Sequence, residues 1–437
     1  MNVSKGEIGL VTATALVLGN MIGSGVFLLP ASLAPYGGYS LVGWLISTAG
    51  ALLLAGVFYR LAKREPRAGG PYAYSREAFG DCIGFLVAWS YWISLLVGNA
   101  AIAVAAASYL SVLIPGVGTA PLFGALTALA MIWVLTAVNI AGVRSAGTLQ
   151  VVTTILKVAP LLVLALFGIV HFNPHLLAPG PDAGAPMQAI NLCVAATLFA
   201  LTGVECASIP AGHVRDPEKT IPRATLLGTA IAAVFYILCT TVVMGLIPAA
   251  DLAKSQAPFA DAGRLLWGGW AGYLIAGVAA ISCLGALNGW SLILGQFPQA
   301  VARDGLFPRV FARESTRGTP ASGLLISAVL ISVMVLANYT RGMVAMFTFM
   351  VLLSTLGSLV AYLFSAMADV VLAYRSGRPV PVRDTIMACA AFAFSAWAVI
   401  GAGEDAVYWN FVLLIVGIPL YVWQVRPPRR TLDELRQ

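Results

Sequence analysis

Two ionisable side chains, Lys157 and Glu205, stand deep inside apolar stretches, and two small-residue runs, Gly23-Ser24-Gly25 and Leu201-Thr202-Gly203-Val204-Glu205-Cys206, interrupt segments long enough to cross a bilayer. A helix broken at membrane depth leaves backbone N–H and C=O groups that hydrocarbon cannot satisfy. Such a break persists only where it lines a polar cavity or a ligand site. At Gly23-Ser24-Gly25 the small side chains let a ligand approach the backbone. The freed N–H groups, at the start of a following half-helix, suit a carboxylate. Carbonyls left free near Ala200 to Gly203, beside Thr202, suit an ammonium group. Together the two breaks read an α-amino acid, although another zwitterion or small anion could use part of the same arrangement.

Glu205 is the one acidic residue read as deep within a span, where a charge costs at least about 2.5 kcal/mol. It is a candidate proton carrier or gate, or else a hydrogen-bonded brace for the unwound segment. Lys157 has only apolar neighbours along its helix and cannot easily snorkel from mid-span. Its amine is expected to turn inward onto carbonyls of the first broken helix, as a fixed substitute for a sodium ion or as a proton-binding group. Tyr91, Phe199, Trp290 and Tyr362 lie near the same depth, and the small neighbours of Trp290 leave its indole face open to a guanidinium or ammonium by cation–π attraction. Ser94, Asn99 and Ser354 offer neutral hydrogen bonds, to a solute or between helices. His171, His175 and His213 are scattered, and the six cysteines show no zinc-like spacing and read as small core residues, so no metal site, nucleophilic triad or cofactor site is expected. An enzyme is disfavoured.

The elements that must position these residues are membrane helices. Of 437 residues 59% are hydrophobic and 10% charged, a balance that no soluble domain of this size carries. Turn and charge signals give about twelve helices, near 8–33, 39–62, 81–113, 122–142, 147–170, 188–213, 223–248, 270–302, 321–338, 343–373, 384–402 and 406–424. The first is too long and too closely followed by similar spans to be a cleaved signal. One membrane domain over 1–437 is expected, all-α and polytopic. The second interruption follows the first by five helices, so the two copies enter the membrane with opposite orientation. Inverted repeats over about 8–170 and 188–373 follow, with the helices of 384–424 accessory.

Lys and Arg concentrate on alternate loops, around 63–67, 144, 215–223, 303–317, 375–383 and 426–430. That bias predicts cytoplasmic termini in a multi-pass protein of the cell (inner) membrane. The net charge of +7 is thus a topology signal rather than a nucleic-acid footprint.

Gly19-Asn20-Met21-Ile22-Gly23-Ser24-Gly25-Val26-Phe27-Leu28-Leu29-Pro30, Gly69-Gly70-Pro71-Tyr72-Ala73-Tyr74, Gly203-Val204-Glu205 with Asp216-Pro217-Glu218-Lys219-Thr220-Ile221-Pro222, and Asp304-Gly305-Leu306-Phe307-Pro308 resemble the amino acid–polyamine–organocation (APC) transporters. The likeness runs from about residue 6 to 425 and is nearest to bacterial arginine/agmatine antiporters, more loosely to lysine/cadaverine and ornithine/putrescine exchangers. It implies a five-plus-five inverted repeat of the LeuT type, broken helices 1 and 6, and alternating access. It places Asn20, Ile22, Ser24 and Gly25 of the first break at the substrate, with Ser24 and Gly25 at its carboxylate. Phe199, Thr202 and Gly203 belong to the second break, Ser94, Asn99 and Ser354 serve the polar side chain, and Trp290 stacks on the guanidinium. Tyr91 and Phe199 are expected to close the outward gate and Tyr362 and Glu205 the inward one.

Three positions depart from the arginine exchangers that this chain resembles. Those carry tryptophan at the place of Phe199, a larger flexible residue at that of Ile102 and no lysine at that of Lys157. Two unit charges about 8 Å apart at an effective dielectric near 20 repel by roughly 2 kcal/mol, which penalises doubly cationic polyamines. The expected partners are an amino acid or amine, membrane lipid, protons and, as in similar proteins, a second copy. An arginine/agmatine exchanger is the leading expectation. A proton-coupled or exchange transporter of neutral amino acids is the alternative, and an amino acid sensor or channel a remote one.

Overall fold

The computed structural model describes residues 9–64, 69–141, 147–181, 183–204, 215–316, 318–377 and 380–424, without the side chains of Leu16, Asn20, 147–156 and Pro217. The chain is a bundle of helices in which no strand occurs among the described residues. The first expected span is two helices, α1 (Leu10–Met21) and α2 (Ser24–Leu33), whose axes diverge by 42°. Then follow α3 (Tyr39–Arg64), the short α4 (Pro71–Phe79), α5 (Asp81–Leu113), α6 (Pro121–Ala141), α7 (Gly147–Gly168) and α8 (Pro186–Ala200). The remainder is α9 (Pro217–Met244), the short α10 (Ala249–Leu252) and α11 (Pro258–Trp267), α12 (Gly269–Arg303), α13 (Ala321–Asn338), α14 (Met343–Arg375), α15 (Val382–Gly401) and α16 (Glu404–Gln424).

Among the described residues nine helices are long and apolar enough to cross a membrane, and the bent pair α1/α2 makes a tenth. Two shorter apolar segments, Lys157–His171 and Pro186–Ala200, stand where the fifth and sixth spans are expected. This is an all-α polytopic membrane protein. Its caps follow local chemistry. Pro71 and Pro258 open α4 and α11, where a missing N–H is harmless, and glycines with positive φ, Gly80 (+85°) and Gly268 (+89°), end them. Both short helices lie in stretches read from sequence as loops.

Contacts among the helices fall into matched pairs when each of the first five spans is exchanged with its counterpart five spans later. α1 packs on α9 as α8 packs on α3, α5 on α14 as α12 on α7, α5 on α6 as α12 on α13, and α4 on α5 as α11 on α12. The sequence carries a trace of the same pairing. Arg76, Gly80 and Gly84 around the α4–α5 junction recur with identical spacing as Arg264, Gly268 and Gly272 around α11–α12. A Cβ on Gly84 would stand 2.8 Å from Cβ of Arg76, and one on Gly272 would strike the Arg264 side chain. Each glycine therefore lets a short helix lie flat on the long one that follows it.

Two sequence readings are corrected. Asp369, inside α14, is 2% exposed, so among the described residues a buried span carboxylate exists besides the expected Glu205. It lies near the end of α14, where Arg60 of α3 folds back over it with an N–O distance of 2.6 Å, and Arg64 joins them. Cys82 and Cys389 are exposed rather than core residues. Cys82 stands in the first turn of α5 and Cys389 within α15.

Candidate functional site

The break in the first span is built by small residues and held by three side chains or turns. Gly23 donates back to the Met21 carbonyl at 2.8 Å, Ile22 caps Leu18, and the Tyr236 hydroxyl of α9 also donates to Met21 O. The Gly19 carbonyl accepts from Lys157 Nζ at 3.3 Å. Carbonyls released at the end of α1 are thus taken up inside the protein, as the expected inward turn of Lys157 requires. In contrast, the first-turn N–H groups of Ser24, Gly25 and Val26 have no backbone acceptor among the described residues. Ser24 Oγ is likewise buried with no hydrogen-bond partner among them. The start of α2 therefore presents unspent donors.

The second break meets the first. α8 ends at Ala200, Thr202 folds back with both its N–H and its hydroxyl on Phe199 O (3.2 and 2.7 Å), and Gly203 takes φ +101°. A Cβ on Gly25 would lie 2.8 Å from Cβ of Ala200, so only glycine lets the two broken helices touch here. Ser24-Gly25-Val26 and Thr202-Gly203-Val204 are matching triplets at matching breaks. Glu205 and Cys206 lie outside the described residues, as does the side chain of Asn20.

A narrow cavity of about 40 Å³ lies between the breaks, room for about one water molecule rather than a whole solute. Of the expected site residues it is lined by Ser24, Gly25, Tyr91, Ser94, Asn99, Phe199, Thr202, Trp290 and Ser354. Ile22, Gly203, Tyr362 and Lys157 are not in its wall. Met21, Gly23, Leu95, Gly98, Ile102, Ala200 and Ser358 complete it. Most of these additions were legible as register. On α5, residues 91, 94/95, 98 and 102 recur at helical spacing, and Ser358 follows Ser354 by one turn.

Several polar groups are already committed. Ser94 Oγ donates to Ser354 O (2.7 Å) and lies 2.6 Å from Ser358 Oγ, Ser354 Oγ donates to Ser94 O (2.9 Å), and Ser90 Oγ donates to Gly357 O (2.9 Å). These serines bolt α5 to α14. Asn99 donates to Leu95 O and accepts from Ser291 Oγ. Trp290 is half-buried with its ring in the wall.

The rings divide by side. Phe199 packs edge-on against Phe347, near the start of α14. Tyr91 instead packs on Phe297, near the end of α12, and Tyr362 on Phe58 of α3. Helix direction places Phe297 and Phe58 toward the side on which α1 begins. Tyr91 thus shares its side with Tyr362. The same side is tied by charge. Arg60 and Arg64 bind Asp369, while Arg76 pairs with Asp304 at 3.2 Å, and Tyr72 donates to Asp304 at 2.9 Å. Burial, and then the Asp304 carboxylate, push the Tyr72 phenol above its usual range, so it stays a donor. On the far side a hydroxyl pair, Ser32···Thr348 at 2.7 Å, joins α2 to α14.

A bundle in which the break of the first span and the end of α8 face one small cavity, with polar ties on either side of it, is the architecture of a membrane transporter. Comparison with known proteins gives the family. Residues 8–423 match the amino acid permease family model. The chain is 38% identical over 335 residues to the cadaverine/lysine antiporter of Escherichia coli (strain K12), covering 75% of this chain and 73% of that protein. It is 30% identical to the putrescine transporter PotE of the same strain, over 95% of both chains. To PotE of Haemophilus influenzae it is 31% identical, over 96% of this chain and 98% of that one. The chain belongs to the amino acid permease family of the APC superfamily, whose members are transporters rather than enzymes.

Proposed function

We propose that the chain is a secondary active exchanger of amino acids and amines in the bacterial inner membrane, working by alternating access around the cavity between α1/α2 and α8. The observation that carries this reading is the buried, unpartnered Ser24 hydroxyl beside the free N–H groups of Ser24, Gly25 and Val26. Donors of that kind at a helix start await a carboxylate. The carbonyls of Ala200 and Leu201, which have no backbone donor among the described residues, await the ammonium. Matched helix contacts support reading the first ten spans as two inverted repeats, about 8–170 and 188–373, with α15 and α16 accessory. Phe199 would close the cavity toward the far side, and Tyr91 and Tyr362, with Glu205, toward the side of the chain ends, which the Lys and Arg bias makes cytoplasmic.

For cargo, arginine with agmatine remains the leading pair, with Trp290 facing the side chain. The relatives are named for lysine, cadaverine and putrescine, which supports basic amino acids and amines at large without favouring arginine. Lys157 favours a second reading, exchange or proton-coupled uptake of neutral amino acids. Its amine is 2% exposed and set on the break itself, and no carboxylate lines the cavity among the described residues.

Purified protein in vesicles loaded with arginine, alanine or nothing distinguishes these readings. Exchange predicts labelled uptake only into loaded vesicles, whereas proton coupling predicts filling of empty ones under an imposed proton gradient. Empty vesicles filling as fast as loaded ones at neutral pH would defeat the exchanger. Glu205→Gln flattens the pH dependence if Glu205 carries the proton.

A further inference from the structure

A second, open cavity, of about 440 Å³, lies on the side away from the chain ends and is framed by the same two helices as the central site. α2 contributes Ser24 and Gly25 to the inner cavity and Ser32 to the outer one, while α14 contributes Ser354 and Ser358 to the inner and Thr348 to the outer. At about 1.5 Å rise per residue the outer cavity sits roughly 10 Å further along both helices. The Ser32···Thr348 pair (2.7 Å) stands at the boundary. The outer cavity is thus a vestibule on the line of approach.

Its charge is one-sided. Lys254, on the loop after α10, and Arg341, at the end of the turn before α14, both line it, with the Gln256 amide beside them and no carboxylate in the wall. Neither cation has a salt-bridge partner among the described residues. The nearby acids are otherwise placed: Asp251 stands on α10 outside the lining, and Asp261 is held by Ser255 and by Arg264 at 3.2 Å. Arg341 is also set in position, its guanidinium 4.5 Å from the ring centroid of Phe349. A stacked guanidinium keeps its N–H fork free for a planar anion.

We propose that Lys254 and Arg341 form an outer waiting site for the carboxylate of a transported amino acid, which the vestibule captures before the Ser32–Thr348 tie opens. The inference rests on the transport reading above and deepens it. The vestibule selects for solutes bearing a carboxylate and against amines that carry only positive charge, a bias that acts on capture rather than on the translocation step.

The test uses uptake of arginine and of agmatine, which lacks the carboxylate, presented to the vestibule face of vesicles holding wild type or the Lys254→Gln/Arg341→Gln variant. The variant should raise the KM for arginine about three- to tenfold with Vmax little changed, and leave the KM for agmatine equal or lower. In wild type, added salt should raise the arginine KM toward that of the variant. The exchange Lys254→Arg with Arg341→Lys should keep the wild-type KM, as a charge effect requires. An unchanged arginine KM, or equal shifts for both solutes, would overturn the proposal. So would an effect seen only in vesicles containing anionic lipid, which would assign the two cations to headgroups. A wild type that moves neither solute nor any other amino acid defeats the transport reading instead, and the waiting site falls with it.

Discussion

The ammonium of Lys157 lies 3.3 Å from the carbonyl oxygen of Gly19, joining the fifth span to the last turn of the first half-helix across 138 positions of sequence. Gly285 of α12 faces the same amine, since a Cβ there would stand 3.7 Å from Nζ. The amine therefore sits between the break and the eighth span. A fixed amine in that position holds one carbonyl released at the break, that of Gly19, without leaving.

Lys157→Ala should leave the Gly19 carbonyl buried and unpaired, at a cost of about 1–3 kcal/mol. We expect a lower melting temperature and at least a tenfold loss of uptake rate. Lys157→Met, which keeps the stem, should recover the melting temperature more than the rate. Wild-type uptake should be indifferent to replacing sodium by potassium, and a sodium requirement would remove Lys157 from this role.

Gly25 and Ala200 make the contact between the two broken helices, and the Cβ that Gly25→Ala would add falls 2.8 Å from that of Ala200. Overpacking of this kind costs about 1–3 kcal/mol. Transport should fall sharply in Gly25→Ala and return in part when Ala200→Gly is added. Absence of any rescue would mean that the added methyl blocks the solute rather than the helix contact.

How much of this was legible in sequence depends on the range of the interaction. Both ends of α5 could be read because their signals are local: Gly80 stops the preceding helix, Asp81 starts the next, and Pro115 follows its end. The break at Gly23 was legible for the same reason. The helices α4 and α11 were not, because nine or ten residues opening on proline and closing on glycine look like loop, and what holds them is packing on the following span. Their repeat signature, Arg76–Gly80–Gly84 against Arg264–Gly268–Gly272, is visible only once the two junctions are laid side by side. The direction of Lys157, and its partner as a carbonyl of the first broken helix, could be argued from the cost of a stranded charge, but not that Gly19 supplies that carbonyl. Ser94 and Ser354 show the limit most plainly, since residue type leaves open whether a hydroxyl serves a solute or a neighbouring helix, and the geometry joins them to each other.

That serine ladder gives a separable prediction. Ser94→Ala removes the donor to Ser354 O and the partner of Ser358 Oγ, and interhelical hydrogen bonds in membranes are worth about 0.6 kcal/mol on average and up to about 1.7. The melting temperature should drop by a few degrees while substrate KM moves less than about twofold. A large KM change without a stability change would return Ser94 to direct substrate contact.

Asp369 ties α14 to α3 on the side of the chain ends by accepting from both Arg60 and Arg64 while almost fully buried. Replacing it with Asn removes the buried carboxylate from both guanidinium groups, leaving Arg60 with Asp384 at 3.9 Å and Arg64 with the backbone carbonyl of residue 369. Breaking a fully enclosed pair costs about 3–5 kcal/mol, and the cost here is smaller because Arg64 keeps 31% of its side chain exposed. The loss falls on the conformation closed toward that side, so the population should shift toward the one that is open there. A cysteine introduced by Ser358→Cys in the cavity wall reads this directly, in a background where the exposed Cys82 and Cys389 are changed to Ser. A membrane-impermeant thiol reagent added on the side of the chain ends should modify it about five times faster in Asp369→Asn than in the parent. Reagent from the vestibule side should react more slowly than in the parent. Equal rates from both sides would show that the Arg60–Asp369–Arg64 cluster braces the fold without gating it.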